Sequence, residues 1–328
     1  MTSQKKIIKV IKDPIKEEME EFERFFSSAL NSRIHLLNLI NKYIIKRKGK
    51  EMRPMLVFLV AKLVGDVKES TYTGAALIQM LHTATLIHDD VVDEAYERRG
   101  FFSINALWKS KVAVLVGDFL LSKGLLLAID HNEFDQLKVV SQAVREMSEG
   151  ELLQIEKSRK LDINEEVYLD IIYKKTASLI ASCTWLGALS AGADEKTCLK
   201  MKRFGELLGM AFQIKDDLFD YQKQGNIGKP TGNDIKERKM TLPLISVLQK
   251  ASSGERRKIM RTIKRHNKDS KKVNQLIQYV REHGGLDYTE NKMLEYRDQA
   301  LDILNEFPSS NTREALNALV IYTTTRNK

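Results

Sequence analysis

Leu81-His82-Thr83-Ala84-Thr85-Leu86-Ile87-His88-Asp89-Asp90-Val91-Val92-Asp93 carries a mostly apolar run into three carboxylates. The pattern returns over a hundred residues later. There Leu207-Leu208-Gly209-Met210-Ala211-Phe212-Gln213-Ile214 leads through Lys215 into Asp216-Asp217-Leu218-Phe219-Asp220. On an α-helix, positions i and i+4 share a face, so Asp89 and Asp93 can point one way, and so can Asp216 and Asp220. Like charges at that spacing repel and weaken the helix. A cation that neutralises them resolves the conflict, and a hard divalent ion taking carboxylate oxygens, Mg²⁺ above all, is the natural candidate.

The rest of the chain agrees with helix. Spacings of three and four recur, alternating strand patterns are scarce, and 328 residues hold only five prolines and 17 glycines. With 43% hydrophobic residues the chain can bury a large core, and an all-α fold is expected. The net charge is +9. That balance suits an anionic ligand, an anionic membrane surface or simply a solvated lysine-rich exterior. Aromatic residues do not interleave with the basic runs and no RRM, KH or zinc-finger pattern is present, so nucleic acid is not an expected partner. Cys183 and Cys198 fit neither a zinc spacing nor a disulfide framework, which points to a reducing cytoplasm. The N-terminus has no continuous apolar core of the kind a signal peptide needs. Val112–Ile129 comes nearest to the roughly 18 apolar residues of a membrane span, but Asp118 and Lys123 interrupt it.

Helices are expected over 1–30, 31–47, from Pro54 to about Val64, and over 70–94, 104–130, 135–158, 164–192 and 197–221. Tyr96–Gly100 reads as a loop, and Gln224–Gly232 is a basic, glycine-rich one. Helices resume near Leu242, and the Lys/Arg-dense stretch 250–275 reads as exposed helix. No linker divides the chain, so a single domain over 1–328 is expected.

One Asp-Asp-x-x-Asp alone is more often a solvated helix end or a cap. Here two occur, each before basic residues: Arg98 and Arg99 after the first, Lys229, Lys236, Arg238 and Lys239 after the second, with Lys50 and Arg53 upstream. Arginine's fork suits phosphate oxygens and lysine supplies a point charge. Carboxylates, magnesium and basic side chains together describe a diphosphate site.

These blocks, in this order, resemble the trans-isoprenyl diphosphate synthases along nearly the whole chain. The resemblance rests on Gly49-Lys50-Glu51-Met52-Arg53-Pro54, on His82 through Asp93, and on Arg98-Arg99-Gly100. It continues through Val116–Leu120, Glu149-Gly150-Glu151, Lys175-Thr176, Gln213 through Asp220, Gly228–Asp234 and Lys239–Pro243. It implies an isoprenoid-synthase helical bundle around a central cavity. It also implies that Asp89, Asp90, Asp93, Asp216, Asp217 and Asp220 hold about three Mg²⁺ against an allylic diphosphate. Arg98, Lys175, Lys229 and Lys239 would grip that diphosphate. Lys50, Arg53, His82 and Arg99 would hold isopentenyl diphosphate, and Thr176 and Gln213 would lie beside the developing cation. The implied reaction is ionisation of the allylic C–O bond, attack by the isopentenyl double bond and loss of a proton to pyrophosphate. The family's Gly-Gly-Lys-Arg-x-Arg-Pro is altered here, with Lys48 for the first glycine and Glu51 for the middle arginine. A homodimer is implied by the resemblance alone, and peripheral contact with anionic lipid by the positive charge and an amphiphilic product.

In this family the helix before the first cluster walls the growing-chain pocket. Short-chain enzymes carry a bulky aromatic four or five residues before the first aspartate; this chain has Thr85 and Ala84 there, with Leu81 a turn earlier. Small residues leave room for depth, so a long product of about C30 to C50, suited to a quinone side chain, is expected, with geranylgeranyl diphosphate the runner-up. A terpene cyclase would carry an Asn/Asp-Ser/Thr-Glu second motif in place of the second aspartate cluster. An inactive partner subunit of a two-chain synthase would have lost the clusters, and a magnesium-binding scaffold leaves the ordered basic blocks unexplained.

Overall fold

The computed structural model describes residues 3–46, 51–98, 100–222 and 232–326. Lys50, Arg99 and Lys229 therefore lie outside the described residues. Helices dominate, as the spacing of apolar residues predicts. The expected first helix is two, α1 (Ser3–Lys12) and α2 (Lys16–Ala29), because the chain tightens into a 3₁₀ turn at Asp13–Ile15. Pro14 has no N–H to give an α-helical ladder, and its carbonyl instead accepts from Lys62 Nζ at 2.8 Å.

α3 (His35–Lys46) and α4 (Met52–Val64) follow, then α5 (Glu69–Val92), which carries the first aspartate cluster at its C-terminal end. The segment read as a loop is a two-stranded hairpin, β1 (Glu97–Arg98) and β2 (Phe101–Phe102), turning at Gly100 with φ 77. Ser103 fixes its exit. Its Oγ donates to Ala95 O at 2.7 Å and accepts from Ala106 N at 3.0 Å, capping α6 (Ile104–Asp130). α7 (Phe134–Lys160) comes next.

The expected helix over 164–192 is continuous in direction but not in winding. α8 (Glu165–Ile172) passes through a single π turn at Tyr173–Ala177 into α9 (Ser178–Ala191). α10 (Glu195–Tyr221) carries the second cluster and starts at Asp194, whose side chain caps Thr197 N at 2.8 Å. The short α11 (Asn233–Lys236) and α12 (Leu242–Lys250) follow, then α13 (Ser253–Arg265), α14 (Ser270–Glu282), α15 (Gly285–Asn305) and α16 (Asn311–Thr325).

Two hydrophobic clusters hold these helices. One gathers Phe22, Phe58, Leu77, Met80, Phe204 and Leu316; the other Tyr168, Ile214, Tyr221, Ile235, Leu244 and Val280. Each fully buried Phe or Leu stabilises by roughly 1.5–3 kcal/mol relative to exposure. α10 belongs to both clusters, giving Phe204, Leu207 and Leu208 to the first and Met210, Ile214 and Leu218 to the second. It approaches α9 at very short range. A Cβ on Gly205 would stand 2.6 Å from Ala181 Cα, and one on Gly209 would stand 2.5 Å from Ala177 Cα. Both glycines lie on one face, four residues apart, and only hydrogen fits there.

α6 is long and apolar enough to cross a membrane by length and composition, with a third of its most apolar stretch buried. Its inner face, Val116, Gly117, Leu120, Gly124 and Ala128, packs on α5. Its outer face leaves Leu115 59% and Leu126 53% exposed, and Leu152 on the neighbouring α7 is 67% exposed.

Candidate active site

Both clusters open on one cavity of about 860 Å³ between α2, α3, α4, α5, α9, α10 and α16. Its polar lining includes Arg53, His82, Asp90, Arg98, Thr176, Gln213 and Asp216. Phe22, Phe26, Leu56, Ile180, Leu208 and Leu319 line the apolar part.

The first cluster is shaped by the end of α5. Asp93 closes the helix, its N–H donating to Asp89 O at 2.8 Å, and Glu94 then turns with φ 50. That turn brings β1 back so that Arg98 Nε donates to Asp90 Oδ1 at 2.7 Å, with Asp90 buried. Asp89 and Asp93 stay exposed. Asp89 is nevertheless flanked by protein. Lost hydration raises its carboxyl above the ordinary value, and the carboxylates of Glu151 and Asp93 push the same way.

The second cluster divides differently. Asp217 is buried and accepts at both oxygens, from Tyr168 Oη at 2.6 Å and from Gln213 Nε2 at 2.8 Å. Burial still raises its carboxyl. Asp220 receives the N–H groups of Asn233 (2.9 Å) and Asp234 (3.0 Å) at the start of α11, and its carbonyl accepts from Gly232 N at 3.0 Å. Asp220 thus anchors the returning end of the glycine loop, where Gly232 takes φ 79. Asp216 faces the cavity and pairs with Arg326, the residue following α16.

The π turn aims Lys175 and Thr176, and single π turns of this kind often mark functional positions. Lys175 Nζ pairs with Glu151 Oε2 and donates to Gln154 Oε1 at 2.8 Å, both on α7. Thr176 Oγ1 donates to Gln213 Oε1 at 2.8 Å, so Thr176, Gln213, Asp217 and Tyr168 form one hydrogen-bonded chain. Lys239 is outside the cavity lining, with its Nζ on Glu237 at 2.6 Å. Glu51 lines the cavity and takes φ 52 immediately before α4.

The three residues read as a chain-length floor sit one face away. Ala84 is fully buried, Leu81 is 6% exposed, and Thr85 Oγ1 donates to His82 O at 2.9 Å. The cavity instead meets Gln79, His82, Thr83, Leu86 and Ile87 of the same helix. Helical spacing explains the split, because Leu77, Met80 and His88 are turned toward Gly117 and Gly124 of α6. Tyr168, Gln154 and Arg326 carried no signal in the sequence. Glu151 stood inside a recognised block without an assigned role.

Among the described residues, no group of three or more His, Cys, Asp or Glu side chains is placed to hold a metal ion unaided.

The polyprenyl synthetase family model matches residues 34–280. The chain belongs to the polyprenyl synthetase family. The synthase is 37% identical over 305 residues to the all-trans-nonaprenyl-diphosphate synthase (geranyl-diphosphate specific) of Rhodobacter capsulatus, covering 92% of this chain and 93% of that one. Its fold matches the crystal structure of a decaprenyl diphosphate synthase from the same species with a TM-score of 0.90 and 33% identity, over 97% of this chain and 98% of that one. It also matches a polyprenyl synthase from Caulobacter crescentus complexed with calcium and isoprenyl diphosphate, at TM-score 0.88 and 32% identity over 98% of each chain. The all-α fold expected from periodicity, in the helical bundle the resemblance implies, is the fold these synthases share, and the synthase is a prenyltransferase.

Proposed function

We propose that this synthase extends an allylic diphosphate with isopentenyl diphosphate to a long all-trans polyprenyl diphosphate of about C30 to C50, the apolar lining of the cavity taking the tail. The observation that carries the site is the division within the two clusters. Asp90, Asp217 and Asp220 accept hydrogen bonds from Arg98, from Tyr168 and Gln213, and from the α11 backbone, which orients Asp89, Asp93 and Asp216 for metal and diphosphate. The similarity to long-chain relatives supports the product class.

Asp89, Asp93 and Asp216 are the residues we assign to Mg²⁺, about three ions with a bound diphosphate. When bound, the ions would supply positive charge against the departing pyrophosphate. Lys175 and Arg98 add fixed positive charge to the same group, and Lys229 and Lys239 are the further cations we assign to it. The allylic C1–O bond breaks with its electron pair going to pyrophosphate. The Thr176 hydroxyl and the Gln213 amide oxygen turn negative dipole ends toward the cation left behind. Arg53 and His82, with Lys50 and Arg99, hold the isopentenyl diphosphate so that its double bond forms the new C–C bond. The C2 proton then leaves to pyrophosphate. No side-chain nucleophile takes part.

The exposed apolar faces of α6 and α7 fit a homodimer, where Leu115, Leu126 and Leu152 would leave water against a second copy. α10, shared by both hydrophobic clusters, supports reading the chain as one domain. We place the enzyme in the cytoplasm, its positive surface touching anionic lipid where product is delivered. Incubation with farnesyl diphosphate, isopentenyl diphosphate and Mg²⁺ should yield products of C30 or longer on sizing. Products that stop at C20 would replace the long-chain reading with a geranylgeranyl one, and absence of elongation would remove the enzyme assignment.

A further inference from the structure

Arg326 follows the last turn of α16 and folds back on it, its Nε donating to Thr323 O at 3.3 Å. Its side chain is 12% exposed. The guanidinium carbon lies 4.3 Å from the Phe212 ring centre and 5.4 Å from that of Phe219, and Nη2 pairs with Asp216 Oδ1. Phe212, Asp216 and Phe219 occupy positions i, i+4 and i+7 of α10, a single stripe along which the flat guanidinium is laid.

We propose that Arg326 is a positioning residue that keeps a tethered positive charge on Asp216 until a divalent cation takes its place. Asp216, Asp217 and Asp220 crowd three carboxylates into two turns of helix, and such a cluster needs a counter-charge. Arg326 supplies it from the chain itself. It does so at an oxygen of the carboxylate that faces the cavity, so guanidinium and metal exclude each other there. A guanidinium is a weakly hydrated single charge and yields to a divalent ion that brings diphosphate oxygens with it. Metal loading therefore releases the end of α16 from α10, and metal departure with pyrophosphate restores the contact. The device holds the second cluster in shape between turnovers and weakens metal binding when no diphosphate is present.

This inference rests on the reading of Asp216 as a metal-facing carboxylate, and metal binding by the full chain tests the two separately. Mn²⁺ is titrated into the substrate-free protein and followed by its EPR signal. Arg326→Gln should bind Mn²⁺ about three- to five-fold more tightly than wild type, the upper range a partly exposed ion pair represents. Arg326→Ala should do the same, and Arg326→Lys, which keeps the charge, should stay within about two-fold of wild type. In an Asp216→Asn background the Arg326→Gln change should have no effect. Unchanged or weaker Mn²⁺ binding by both Arg326→Gln and Arg326→Ala overturns the proposal while leaving the synthase reading intact. Mn²⁺ affinity that Asp216→Asn does not alter overturns the reading beneath it.

Discussion

Replacing Gly209 by alanine tests whether helix packing sets the chemistry. The new Cβ would lie 2.5 Å from Ala177 Cα and 2.9 Å from Ala177 Cβ, against an ordinary contact of at least 3.4 Å. Relief requires about 1 Å of separation between α10 and the π turn. Ala177 ends that turn, two residues after Lys175 and next to Thr176. The 2.8 Å bond from Thr176 to Gln213 would stretch past hydrogen-bonding distance, and Lys175 would shift with it. Overpacking costs about 1–3 kcal/mol, and better helix propensity offsets up to about 1 kcal/mol of it, leaving a net loss near 1–2 kcal/mol. Catalysis should suffer more, because a 1 Å misplacement can cost about 100-fold in rate. Incorporation of labelled isopentenyl diphosphate should show kcat down by one to two orders of magnitude, with a melting point only a few degrees lower. Wild-type kcat in a folded Gly209→Ala protein would refute the coupling of α10 packing to the π turn.

Tyr168→Phe removes a donor from the buried Asp217 and should lower stability by about 1.5–3 kcal/mol in denaturant unfolding, while Asp89→Ala should abolish elongation without a comparable loss. Ala84→Phe adds a ring at a fully buried position beside α6. It should lower stability by about 1–3 kcal/mol, and, since Ala84 packs one helical face away from the described cavity, leave product length unchanged; a shortened product would show that the growing chain passes on the α6 side of α5. Acid should fray α13 selectively. Its Ser252–Glu255 capping box lowers the Glu255 carboxyl from 4.5 to about 2, chiefly through the Ser252 side chain, so the cap's stabilisation is complete above about pH 4.5 and disappears as pH falls toward 2. Hydrogen exchange in α13 should accelerate across that window, and Glu255→Gln should remove the pH dependence.

Helix content and both aspartate clusters are legible in the sequence because periodicity and i, i+4 spacing are local properties. The hairpin at 97–102 is not, since two-residue strands carry no alternation to read, yet its first strand places Arg98 on Asp90. The π turn is equally hidden, as a single extra residue in a helix leaves the apolar pattern nearly intact. The division of labour among the aspartates depends on partners distant in sequence. Tyr168 meets Asp217 across 49 residues, and Arg326 meets Asp216 across 110. Spacing marks all six carboxylates alike, and only tertiary contacts separate Asp90, Asp217 and Asp220, which accept hydrogen bonds from distant residues, from Asp89 and Asp93, which stay exposed, and Asp216, which pairs with Arg326. Ala84 shows the converse: its position in the chain singles it out, while the structure packs it one helical face away from the described cavity.

The Mg²⁺ dependence of single-turnover elongation in Asp216→Asn and Asp220→Asn bears most directly on that division. Asp216→Asn should raise the Mg²⁺ needed for half-maximal rate at least ten-fold, and Asp220→Asn should lower the melting point while leaving the Mg²⁺ requirement within about two-fold of wild type. Equal shifts in Mg²⁺ requirement for the two variants would contradict the assignment of Asp216 to metal and Asp220 to the α11 backbone.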